Sequence, residues 1–232
     1  MALVRYGGGI VQMSGSIAGD TFARNRFGNY SRARTKPVNP NTARQVAVRA
    51  ALAELTVRWA QTLTAVQRTA WNTYGGNVAM KNKLGETVYL TGFNHYIRSN
   101  SIRTRHILGA IDVGPALMEL PAQDPGFSIT ISEATQIITV AFNDTFAWAS
   151  EDDAYLAVYQ GQPQNAQRNF FGGPWRYLAI FSGSVGVPLT SPQTKSAEIP
   201  VAEGQRVWVY ARILRADGRL SERFRADTFC TA

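Results

Sequence analysis

The chain has 232 residues, is 45% hydrophobic and 17% charged, and carries a formal net charge of +8. That length suits one large or two small domains, and without an apolar run of about 18 residues no membrane-spanning helix is expected. A single cysteine, Cys230, excludes an intrachain disulfide and a cysteine-built metal cluster.

Charge is spread unevenly. Residues 1–110 hold 15 Lys/Arg against three acids, a net +12, and residues 111–232 hold 9 Lys/Arg against 13 acids, a net −4. Such asymmetry points to two parts with different partners, the basic one suited to nucleic acid or to an acidic protein surface.

Residues 1–9 read as a flexible or extended start that lacks the apolar core of a signal peptide, so synthesis in a cytoplasm without export by that route is expected. Gly7-Gly8-Gly9 is not a phosphate loop, because no Gly-Lys-Ser/Thr follows. Thr21–Arg24 and Tyr30–Arg34 flank Asn25-Arg26-Phe27-Gly28-Asn29, which predicts a hairpin with a loop of about five residues. Phe22, Arg24, Arg26, Phe27, Tyr30, Arg32, Arg34 and Lys36 form a basic and aromatic ribbon. Three readings are open for it: an arm that docks on a neighbouring subunit by strand addition, plain packing within the chain, or contact with a nucleic-acid backbone and bases.

Two prolines make residues 35–40 an extended linker. Val48, Leu52, Leu55, Trp59 and Leu63 then recur at helical spacing and predict a buried face. Thr64-Ala65-Val66-Gln67 fits a capping box for a second helix, which Gly75-Gly76 is expected to stop. A third helix follows Thr91, with Phe93, Tyr96, Ile97 and Ile102 on its apolar side. Val78–Tyr89 reads as irregular, with a short strand from Thr87.

Residues 111–126, rich in glycine and proline, read as a linker. From Phe127 the period becomes two. Strands are expected at Phe127–Ser132, Gln136–Phe142, Ala154–Tyr159, Tyr177–Phe181, Ser196–Pro200, Arg206–Leu214 and Arg219–Phe224, with Asp217-Gly218 turning the last hairpin. The expected fold class is α+β: an N-terminal hairpin arm (1–36), a small helical domain (37–110), the linker (111–126) and an all-β Ig/fibronectin type III-like sandwich (127–232).

Chemistry is sparse. His95 and His106 have no acid cluster beside them, so no metal site, cofactor site or catalytic residue is assigned. Glu151-Asp152-Asp153 lacks the spacing of a calcium loop and reads as a turn. Phe170, Phe171 and Trp175 lie on a glycine-rich stretch, which is a partner or sugar surface if exposed and sandwich core if buried.

Three segments together carry a resemblance. They are Gly15-Ser16-Ile17-Ala18-Gly19 with Arg24–Gly28, then Lys36-Pro37-Val38-Asn39-Pro40-Asn41-Thr42 leading to Gln45 and Arg49, and finally Leu63–Trp71 with Leu90–Asn100. Over residues 10–105 the chain resembles a group of proteins from tailed bacteriophages and prophages taken to be virion structural components. The resemblance implies a place in a virus particle and no particular chemistry. With the missing active site, the basic arm and the sandwich, it leads to the expectation of a non-enzymatic virion protein, synthesised in the host cytoplasm, that docks through its basic N-terminal arm and helical domain onto capsid, connector or tail proteins as a homo-oligomer, with no membrane partner expected. The alternatives are a nucleic-acid-binding protein using the basic half and a carbohydrate-binding adhesin using the sandwich.

Overall fold

Strand pairing and helix packing were followed in a computed structural model that describes residues 2–3, 7–10, 12–25, 28–36, 38–81 and 86–232. The chain divides into two compact units, residues 1–43 and 44–232.

The first unit is a four-stranded antiparallel sheet of β1 (Ala2–Leu3), β2 (Gly15–Ile17), β3 (Asp20–Asn25) and β4 (Gly28–Ala33), ordered β1-β4-β3-β2. Ile17 pairs with Asp20 across Ala18-Gly19, and Asn25 pairs with Gly28. The second connection is therefore two residues long rather than about five, because the pairing runs on through Arg24↔Asn29. Those two residues, Arg26 and Phe27, lie outside the described ones. Among the residues of this unit whose side chains are described, which leaves out residues 2–3 and 25, none is buried, and residues 21–23 and 28–31 are half-buried. A sheet normally needs a covered apolar face for stability.

In the second unit, α1 (Ala43–Val57) runs into a π-helical turn over Arg58–Thr62, where the Leu63 N–H donates to the Arg58 carbonyl. The expected face is only half covered. Leu55 and Leu63 are buried, whereas Val48 is 44% and Leu52 48% exposed. α2 (Ala65–Asn77) starts on the expected capping box: the Gln67 N–H donates to Thr64 Oγ1, and the Thr64 N–H to Gln67 Oε1. It does not stop at Gly75-Gly76. A Cβ on Gly75 would lie 2.5 Å from the Leu90 carbonyl oxygen, and one on Gly92 would lie 2.5 Å from the Asn72 nitrogen. These glycines let α2 touch the start of α3 (Gly92–Arg105), for which Thr91 is the cap. β5 (Ala79–Lys81) and β6 (Thr87–Tyr89) form a small hairpin between the two helices. Leu55, Leu63, Trp71, Tyr74, Val78 and Tyr96 make the helical core.

The stretch expected as a linker is fixed along its length. Asn100 Oδ1 accepts from the Ile111 N–H at 2.7 Å, and Trp71 Nε1 donates to the Asp112 carbonyl at 3.0 Å. Gly114 lies against the backbone of Trp71.

A seven-stranded sandwich completes an α+β fold. β7 (Ser128–Ile131), β8 (Ile137–Ala141) and β11 (Gln193–Ser196) form one sheet, ordered β11-β8-β7. β9 (Tyr155–Gly161), β10 (Trp175–Ser182), β12 (Arg206–Leu214) and β13 (Phe224–Phe229) form the other, ordered β10-β9-β12-β13. Ile129, Ile131, Ile138, Val140, Val158 and Val209 alternate inward and fill the space between the sheets. β9 is buried on both faces, because Ile102 of α3 packs with Tyr155, Ala157 and Tyr159 on its outer side. Two strands are displaced from expectation: β11 precedes Ser196–Pro200, and β13 begins where Arg219–Phe224 was expected to end. The Asp217-Gly218 turn is as expected, with Gly218 at φ 91° and the Gly218 N–H donating to the Arg215 carbonyl.

Candidate functional site

The N-terminal ribbon divides between two faces. Directly paired residues share a face and neighbours along a strand oppose. Phe22 pairs with Ser31 and Arg24 with Asn29, which puts Phe22 and Arg24 on one side. Tyr30 pairs with Ala23 and Arg32 with Thr21, which puts Tyr30 and Arg32 on the other. Arg34 and Lys36 follow β4 and are exposed. Arg26 and Phe27 lie outside the described residues. The described cations therefore do not line one groove.

The aromatic stretch is also split. Phe170 is 62% exposed, Trp175 is half-buried and Phe171 is buried. Phe171 packs on Gly161, where a Cβ would come within 2.5 Å of its ring, and it contacts Trp175 and Trp208 at 4.9 and 5.8 Å between centroids.

Around that notch the outer face of the four-stranded sheet concentrates aromatics and arginines. Tyr177, Tyr159, Tyr210 and Arg225 stand in one register row across β10, β9, β12 and β13. Tyr159 and Tyr210 stack at 4.7 Å, and His106 stacks on Tyr177 at 3.9 Å. Trp175 meets Tyr210 edge-on at 4.8 Å. Arg223 lies over Tyr210, Arg225 over Phe170, and Arg206 over Trp208. Burial pushes the Tyr159 hydroxyl up to about 12. It also pulls the Arg98 guanidinium down to about 10, with the neighbouring Arg212 charge acting the same way. Sequence reading assigned this half a net negative charge and missed the face. Its signal is the alternation Arg206, Trp208, Tyr210, Arg212 on one strand with Arg223, Arg225 on the next.

The histidines are apart from this chemistry or stacked within it. His95 is fully buried, edge-on to Tyr74 at 5.0 Å, and neither ring nitrogen has a hydrogen-bond partner. Burial, then the Arg98 charge, pushes it down to about 4. Burial pushes the Cys230 thiol up. Among the described residues no group of His, Cys, Asp and Glu has a metal-binding arrangement. The acidic turn is used internally: Glu151 pairs with Arg215, Asp152 accepts from the Val185 N–H, and Asp153 accepts from the Tyr155 hydroxyl. A cavity of about 520 Å³ lies among Leu120, Phe146, Trp148, Ile213, Arg215 and Arg219. Its arginines are matched, Arg215 by Glu151 and Arg219 by Asp217 and Glu119. No described helix is long and apolar enough to cross a membrane.

No protein-family model matches the chain, and no curated protein matches it. Among solved structures, a family 76 glycoside hydrolase from a bovine Bacteroides thetaiotaomicron strain is similar over 46% of this chain and 20% of that one, at 17% identity and a TM-score of 0.32. The chain spans a fifth of that protein's length, and a likeness this distant carries no argument about activity.

Proposed function

We propose that the chain is a non-enzymatic structural protein of a tailed-bacteriophage particle, made in the host cytoplasm and docked by residues 1–43 onto capsid, connector or tail proteins as one of several copies. The observation that carries this reading is the N-terminal sheet, in which no described side chain is buried. Four short strands whose described side chains are at most half-buried gain little from their own contacts, and a neighbouring subunit supplies the missing layer. Within the second unit, Val48 and Leu52 are exposed on α1 in line with buried Leu55, a separate apolar stretch that a neighbour would cover. The resemblance of residues 10–105 to virion structural proteins agrees with this role.

The non-enzymatic reading is supported by the setting of the titratable groups. His95 is fully buried against the Tyr74 ring, and the carboxylates nearest the cavity arginines are committed to them. Electron microscopy of purified particles tests the proposal, with density for this chain at a symmetric position and its N-terminal sheet against a neighbour. A chain absent from particles, or a variant lacking residues 1–36 that is incorporated at normal copy number, would reject it.

A further inference from the structure

Arg212 is half-buried on the outer face of the four-stranded sheet, its Nε is buried without an acceptor, and the cations Arg98 and Arg223 act on it or are acted on by it. Glu222 reaches it only at longer range. Arg206 is matched by Asp227 at 2.6 Å, but among the described residues Arg105, Arg212, Arg223 and Arg225 have no carboxylate within salt-bridge distance. A partly desolvated cation beside like charges is unfavourable unless an anion arrives to pair with it. We propose that this face, around Trp175, Tyr210, Arg212, Arg223 and Arg225, receives an acidic polypeptide segment of a neighbouring protein.

The face is rich in the residue types that dominate protein interfaces, namely Trp, Tyr and Arg. Its free polar groups are chiefly donors. Trp175 Nε1 and Arg212 Nε are buried without an acceptor, and the exposed Arg225 donates only to the Phe171 carbonyl at 3.3 Å, so the donors open to a partner are those of Arg223 and Arg225. Stacking on Phe170 and Tyr210 holds the Arg225 and Arg223 guanidiniums in place, which lowers the entropy lost on pairing with carboxylates. A single-stranded nucleic acid would also bring anions, but it needs open ring faces. Here Tyr210 lies between Tyr159 and Arg223, Trp175 is edge-on to its neighbours, and Tyr177 has His106 on one side. The interior rings thus leave few open faces for bases to stack on, and the exposed arginines are the groups a partner would meet.

This inference stands on the sandwich face alone and not on the N-terminal sheet. The test uses the full chain and a short labelled peptide alternating Glu with Leu, followed by fluorescence anisotropy at low salt. The Glu peptide is expected to bind and its Gln counterpart not to. Arg223→Glu with Arg225→Glu, both exposed positions, should weaken binding by about tenfold or more, as should Arg212→Gln. Lys195→Glu, on the other sheet, should leave it unchanged. Equal binding of the Gln peptide, indifference to the Arg223/Arg225 change, or tighter binding of oligothymidylate at the same salt would overturn the proposal. So would a concentration-dependent dimer in sedimentation that the double variant abolishes, since the occupant would then be a second copy.

Discussion

Arg58 grips Asp112 with both ends of its guanidinium, Nε to Oδ1 at 2.7 Å and Nη2 to Oδ2 at 2.6 Å, while the Tyr96 hydroxyl donates to the same Oδ1 at 3.3 Å. The π-helical turn after α1 brings Arg58 to this point. The pair fixes residues 111–126 to the helices, and the neighbouring carbonyl of Asp112 accepts from Trp71. Asp112→Ala is expected to lower stability by about 1–3 kcal/mol, since a charged hydrogen-bonding partner of a partly exposed arginine is removed. A urea double-mutant cycle with Arg58→Ala checks it, and a coupling indistinguishable from zero would show that the clamp does not hold the segment.

His95 sets an acid limit. Its folded pKa, about 4, lies below the ordinary histidine value because burial, then the Arg98 charge, disfavours the imidazolium. The unfolded chain therefore binds more protons between the two values. The neutral ring's contribution is fully present above about pH 6.5 and is lost as pH falls toward 4, to the extent of about 3 kcal/mol. His95→Leu should flatten the stability profile across that window relative to the parent chain. Parallel profiles would mean that another group controls the acid transition.

The parts of the fold that rest on local rules were legible in the sequence. Thr64 and Gln67 are neighbours whose side chains satisfy each other's backbone, and they start α2 where expected. The alternation at Ile129, Ile131, Ile138 and Val140 announces a half-buried sheet. Displaced elements are those in which tertiary contacts took the backbone. Residues 219–223 alternate like a strand, but Arg98 donates to the Leu220 and Ser221 carbonyls and Ser221 Oγ accepts from the Ile213 N–H, so β13 starts later. Helical period predicts that Val48 and Leu52 share a face with Leu55, but not what covers them. The aromatic and basic outer face was hidden for the same reason. Its residues come from separate strands, and only the register of Tyr177, Tyr159, Tyr210 and Arg225 assembles them.

Gly75 tests the close approach of α2 and α3. Gly75→Ala places a methyl 2.5 Å from the Leu90 carbonyl oxygen and 2.8 Å from the Gly92 nitrogen, both backbone atoms that cannot rotate away. The expected loss is about 1–3 kcal/mol despite alanine's better helix propensity. Gly76→Ala, one position along and with no atom within 4 Å of its Cβ, should be neutral or stabilising. The two denaturation midpoints side by side decide it. Equal shifts would show that the helices do not meet at these glycines.

Hydrogen exchange should separate the two units most sharply. Protection rises with the free energy needed to open a hydrogen-bonded element, and that energy comes mainly from buried apolar contacts. In β9 every residue is buried, and β12 lies between β9 and β13 with Val207, Val209 and Ile213 in the core. Their amides should exchange only on global opening. The β1–β4 sheet has a regular ladder but no buried described side chain, and its edge strands β1 and β2 are two and three residues long. Its amides should therefore exchange near the rates of an unprotected chain in the isolated protein. If the sheet is covered by a neighbour in the particle, the same amides should become protected there by orders of magnitude. Equal slow exchange of β3, β4, β9 and β12 in the isolated protein would show that the N-terminal sheet is stable by itself, and the argument that it needs a covering subunit would fail.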